Sequence, residues 1–137
     1  MNLVISTTGF KEPSYVNIEL NKDNIKDFKL PDSISNIIVH KVFHLLTQQE
    51  MIGVLDEIYL RLVPGGKITI HCIDTYELSH RMHRRHMSEA DFNTLLYEDG
   101  QKNCFSTIFF IQHCVAVGLK KSTVSFNDIW AKMEFVK

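Results

Sequence analysis

The feature that most constrains this chain is one uninterrupted passage. A helical stripe (Met51, Val54, Leu55, Ile58, Leu62) runs into Pro64-Gly65-Gly66 and emerges as Lys67-Ile68-Thr69-Ile70-His71-Cys72-Ile73. Apolar residues at helical spacing specify a helix with one buried face. Proline stops it, and a glycine pair supplies the turn. The strand that follows must then lie on the helix that precedes it. Thr47-Gln48-Gln49-Glu50 opens the helix as a capping box, in which the Thr47 hydroxyl takes the Glu50 amide and Glu50 reaches back.

The rest of the text repeats this alternation. Leu3-Val4-Ile5, stopped by Ser6-Thr7-Thr8-Gly9, and Tyr15 to Leu20 read as strands. Asn36-Ile37-Ile38-Val39 is a continuous apolar run of the kind buried on both faces of a parallel sheet. Asn21 to Asp32 is polar and irregular, and Asp74 to Asp99 is polar and helical, with Ser88-Glu89-Ala90-Asp91 capping a short helix. Ser106 or Thr107 begins a further helix, Ile108 to Val117, ended by Gly118. Ser122 to Phe126 and Trp130 to Val136 form a closing hairpin turned at Asn127-Asp128. Strands alternating with helices, with no repeat or linker, predict an α/β fold: a mostly parallel, Rossmann-like sheet with an antiparallel C-terminal hairpin, in a single domain over residues 1–137.

Composition supports a folded chain. It has 137 residues, 45% hydrophobic and 23% charged, with 6 Gly and 3 Pro, which excludes disorder and collagen-like order. The formal charge of −1 gives no global attraction to nucleic acid or acidic membranes. Three cysteines (Cys72, Cys104, Cys114) are odd in number and unpaired in spacing, as expected of reduced thiols. No signal-peptide pattern opens the sequence and no apolar run approaches a membrane span, so a cytoplasmic protein is expected.

From Leu55 to Ile70 the sequence resembles the "L-x-E-x-x-R-V-L-K-P-G-G-x-L" segment of class I S-adenosylmethionine-dependent methyltransferases, most closely the small methyltransferase-11-type proteins. Asn2 to Ser6 stands where that family has "L-N-L-G-S-G". Tyr15 to Glu19 is similar to "G-Y-V-N-V-D", and Leu30 to Ile38 to "L-P-F-D-N-S-F-D-x-I". Val42 to Leu46 follows as "V-L-E-H-L" does, with His44 in place of the Glu. Phe105 to Leu119 is similar to the family's last helix, so the likeness covers nearly the whole chain.

The resemblance implies S-adenosyl-L-methionine as cofactor, lying across the carboxyl ends of the strands. Ser6, Thr7 and Gly9 then take the place of the family's Gly-x-Gly loop, a degenerate version with one glycine. Glu19 corresponds to the acid that accepts both ribose hydroxyls; the other reading is a solvated strand-end Glu. Asp27 and Phe28 correspond to the adenine side, although Leu20 to Leu30 is too short for the usual helix and strand there. His40 and His71 end strands near the transferable methyl, where either could serve as general base, and His40 also borders the cofactor.

Three segments carry weaker signals. Asp74 stands close to His71 in sequence, where the two could orient a substrate. His80 to His86 has histidines spaced by three, but interleaved arginines disfavour a cation and no metal site is expected. Cys72 and Cys114 lie in apolar runs, and Cys104 follows Lys102 with no arrangement marking a nucleophile. Two functions stay open: a methyltransferase acting on an unidentified small-molecule or macromolecular acceptor, or a non-catalytic binding or assembly module that has lost the glycine loop. A homo-oligomer or a partner chain is an expectation attached to the second.

Overall fold

The structure, a computed structural model, describes residues 1–7, 9–84, 86–95 and 106–137. Six strands form one sheet: β1 (Asn2–Ser6), β2 (Val16–Glu19), β3 (Ile34–His40), β4 (Leu62–Ile73), β5 (Lys120–Asn127) and β6 (Trp130–Val136). Their order is β2-β1-β3-β4-β6-β5. The first four are mutually parallel, and the hairpin β5–β6 joins antiparallel against β4. Four α-helices are described: α1 (Gln48–Arg61), α2 (Thr75–His83), α3 (Glu89–Asn93) and α4 (Thr107–Ala116). This is the expected mixed α/β architecture, with strand order reversing between β1 and β3.

Three of the four described helices start at serine or threonine caps. Thr47 Oγ1 accepts from the Glu50 amide at 3.2 Å, Ser88 Oγ from Asp91 at 3.1 Å and Ser106 Oγ from Phe109 at 3.2 Å. In the first of these the Glu50 carboxylate also receives the Thr47 hydroxyl at 3.0 Å.

Pro64-Gly65-Gly66 does not form a turn before the strand. β4 begins at Leu62, directly after α1, and the register against β3 slips between Ile34 and Asn36 to absorb the extra residues. Gly65 takes φ +78°, and its amide and the Gly66 carbonyl pair with Lys137. The Lys137 ammonium donates to the carbonyls of Tyr59 (2.6 Å) and Leu62 (2.8 Å), at the carboxyl end of α1. A cation there meets the negative end of the helix dipole.

The core lies on one face of the sheet. Leu3, Ile5, Ile37, Val39, Ile68, Ile70, Met133 and Phe135 are essentially inaccessible and pack with Met51, Leu55 and Ile58 of α1 and Phe110 and Cys114 of α4. The crossovers from β1 to β2 and from β2 to β3 contain no helix among the described residues. The opposite face therefore lacks the layer that a doubly wound sheet ordinarily carries on its second side. Its central residues include Asn36, Ile38, Lys67, Thr69, His71, Lys132 and Glu134, all partly or well exposed, whereas Val4 and Ser6 of β1 on the same face are buried. The Phe10 loop covers it at one end, and Leu78 of α2 with Phe92 of α3 packs near Ile73 and Trp130 at another.

Candidate functional site

A cavity of about 490 Å³ opens at the carboxyl ends of β1, β2 and β3, beside the point where strand order reverses. It is lined by Thr7 after β1, by Leu20, Asn21, Lys22, Ile25 and Lys26 after β2, and by Leu45, Leu46 and Glu50 at the start of α1. Its size and mostly apolar wall with a few polar groups suit a small organic ligand. Asn21 shapes the β2 side: its Oδ1 accepts from the amides of Asp23 and Asn24, and the Asn24 side chain donates to the Glu19 carbonyl at 2.9 Å. Thr7 Oγ1 is buried and has no hydrogen-bond partner among the described residues. An unsatisfied buried hydroxyl on a cavity wall is available to a ligand, because leaving it unpaired is costly.

Only some of the residues singled out in the sequence line this cavity. Thr7 does; Ser6 is buried beneath it, its carbonyl accepting from the Leu20 amide at 2.9 Å. Gly9 is exposed at φ +69°, and an added Cβ would meet no atom within 4 Å, so nothing presses on its backbone. Glu19 is exposed, lies outside the cavity lining, and by register stands on the uncovered face of the sheet. Asp27 is exposed, whereas Phe28 is half-buried, packed against the core and lining a neighbouring depression with Lys26 and Glu50. Thr8, Arg85, Lys102, Cys104 and Phe105 lie outside the described residues. The sequence reading missed Leu45, Leu46 and Lys22; their only signal was position just beyond strand ends.

A second group stands on the uncovered face. Glu19, Ser6, His40, His71 and Lys132 are successive register partners across β2, β1, β3, β4 and β6. Partners in register point to the same face. The His40 ring stacks on Phe10 at 3.8 Å and 10°, and its centroid is 5.3 Å from that of His71. Beyond the strand end, Lys41 takes φ +53°, donates its amide to the His71 carbonyl at 3.0 Å and lays its ammonium 4.3 Å from the Trp130 ring centroid. Burial pushes the His40 imidazole down from its ordinary value, and His71 and Lys41 push the same way. Burial also lowers His71, helped by Lys132 and Lys41 and opposed by Glu134. Both imidazoles are therefore held neutral near pH 7, and His40 Nδ1 has no hydrogen-bond partner among the described residues.

Asp74 serves the fold: its carboxylate accepts from the Thr107 amide and hydroxyl, each at 2.8 Å, and from the Glu77 amide at 2.9 Å. Cys72 and Cys114 are buried, and burial pushes the Cys114 thiol up to about 12, so it stays protonated. Arg81 of the histidine-rich segment pairs with Asp128 at 2.7 Å. Among the described residues no three His, Cys, Asp or Glu side chains gather as a metal site, and no helix is long and apolar enough to cross a membrane.

No protein-family model matches the sequence, and no curated protein matches it. Solved structures do. An S-adenosylmethionine-dependent methyltransferase from Mesorhizobium loti superposes with a TM-score of 0.67 at 8% identity, covering 98% of this chain and 79% of its own. An O-methyltransferase family 2 protein from Planctomyces limnophilus, solved with apigenin, gives 0.61 at 12% identity over 88% of this chain and 34% of its own. PigF, solved with SAH, gives 0.59 at 13% identity over 88% and 35%. The chain thus spans about a third of the length of the latter two. These likenesses show the fold, the Rossmann-like sheet of S-adenosylmethionine-dependent methyltransferases.

Proposed function

We propose that this chain binds S-adenosylmethionine in the 490 Å³ cavity at the ends of β1, β2 and β3 and acts as a methyltransferase on an acceptor lying over His40 and His71. The observation that carries this reading is the cavity's position at the topological switch point of the sheet, where ligands of such folds bind. The residues present fit the adenosyl part: an apolar wall from Leu20, Ile25, Leu45 and Leu46, and the buried Thr7 hydroxyl awaiting a partner. Bound there, the cofactor supplies an electrophilic methyl group on a sulfonium. The neutral His40, with Nδ1 unpartnered, is suited to take a proton from an acceptor hydroxyl or amine.

A second reading, a methyltransferase-like binding module without catalysis, is favoured by two specific observations. The loop after β1 carries side chains at Ser6 and Thr7 where a glycine cradle would stand, and Glu19 faces away from the cavity wall. Isothermal titration with S-adenosylmethionine and S-adenosylhomocysteine separates the two. The enzyme reading expects saturable heat, and Thr7→Val weakening it about five-fold, the effect of one lost hydrogen bond. No heat with either ligand at millimolar concentration rejects it and leaves the module.

A further inference from the structure

The uncovered face of the sheet carries two lysines flanking His71 that the adenosyl cavity does not use. His71 of β4 and Lys132 of β6 are direct register partners, and Lys41 arches over the end of the same face onto Trp130. Both lysines lie close enough to His71 to act on its charge. We propose that His71, Lys132 and Lys41 form a binding site for the oxyanion of a small molecule, a phosphate or carboxylate group, with His40 and Phe10 at its edge.

The charge pattern argues for an anion rather than a metal. Two ammonium groups repel a cation, whereas ammonium and imidazole N–H groups are the donors that an oxyanion accepts. The neighbouring acids are few. Glu134 faces the group from β6, where it is held by Lys132 at 3.3 Å and by the Thr123 hydroxyl at 2.8 Å. Glu19 closes the far end of the row, beyond Ser6 and His40. His44 packs edge-on against Trp130 with ring centroids 5.3 Å apart.

The dimensions favour a small molecule over nucleic acid. From His40 to Lys132 spans two strand spacings, roughly 10 Å, enough for one oxyanion and an adjoining group. Tracking a nucleic-acid backbone needs a longer basic stripe, and the chain carries a formal charge of −1.

The site stands whether or not the cavity takes S-adenosylmethionine, so its test uses no cofactor. Histidine ring signals are followed by NMR across pH 5–9 (roughly the range in which imidazoles titrate) in inorganic phosphate and in chloride of equal ionic strength. Phosphate is expected to move the midpoints of His71 and His40 upward, since an anion favours the charged imidazole. Lys132→Ala is expected to weaken phosphate about five-fold, Lys132→Arg to restore it, and Glu134→Gln to strengthen it. Identical titrations in phosphate and chloride overturn the proposal, as does phosphate affinity unchanged in folded Lys132→Ala and Lys41→Ala. A short single-stranded oligonucleotide that displaces phosphate at far lower phosphate concentration would replace the small-molecule site with a nucleic-acid surface, and so also overturn it.

Discussion

Asp74 and Thr107, 33 residues apart, are joined by two hydrogen bonds of 2.8 Å to a single carboxylate oxygen, while the other oxygen caps α2 through the Glu77 amide. One buried side chain therefore starts α2 and anchors the first residue of α4. Asp74→Ala is expected to destabilise the chain by about 2–4 kcal/mol, combining a lost cap with unpaired buried donors. Thr107→Val, which removes only the hydroxyl bond, should cost about 1 kcal/mol. Urea unfolding of the two variants checks the order. A smaller loss for Asp74→Ala than for Thr107→Val would refute the shared-anchor account.

The glycines make an opposed pair of predictions. A Cβ on Gly66 would stand 2.8 Å from the Val63 carbonyl oxygen and 3.2 Å from that of Ile34, both backbone atoms that cannot step aside. Gly66→Ala is expected to cost about 1–3 kcal/mol through overpacking. Gly53 lies on the exposed side of α1 with open space around it, so Gly53→Ala should stabilise by about 0.5–1 kcal/mol through helix propensity. Thermal melts of the two single variants should move in opposite directions.

Glu57 supplies the pH dependence. It is buried on α1, accepting from the Leu30 amide at 3.0 Å and from Arg61 Nε at 3.1 Å, with Lys29 at 3.7 Å. Burial alone would raise its carboxyl, but the Leu30 amide, the Arg61 guanidinium and Lys29 outweigh that and hold it below the ordinary value of 4.5. Arg61 in turn is paired with Asp32. A lowered carboxyl contributes stability that is complete above its unfolded value and is lost as pH falls through the folded one. Glu57→Gln should therefore cost about 1–2 kcal/mol at pH 7, with the gap to the parent chain closing as the solution is acidified below 4.5. Parallel denaturation curves for the two proteins at pH 7 and in acid measure this; a gap that widens in acid contradicts it.

What could be read from the residues alone was local. The stripe from Met51 to Leu62, the caps at Thr47, Ser88 and Ser106 and the stop at Gly118 each depend on neighbours within about one helical turn, so the sequence carries them directly. The hairpin was legible too, but its turn falls at Asp128-Ile129, one residue later than Asn127-Asp128, because Asn127 pairs with Trp130 as the last residue of β5. The order of apolar runs and helices was enough for a mostly parallel α/β sheet with a terminal hairpin.

The tertiary structure decided which residues share a surface. Strand register aligned Glu19, Ser6, His40, His71 and Lys132, although they come from five separate strands. A shift of one residue in any pairing would turn that strand's side chains to the opposite face. The cavity likewise depends on the segments after three strand ends meeting beyond the sheet, which no local pattern encodes. Short crossovers after β1 and β2 were visible as a lack of helical text. That they leave one face of the sheet without a covering layer follows only from the side on which α1 and α4 pack, because burying the apolar face of the strands commits both helices to that side.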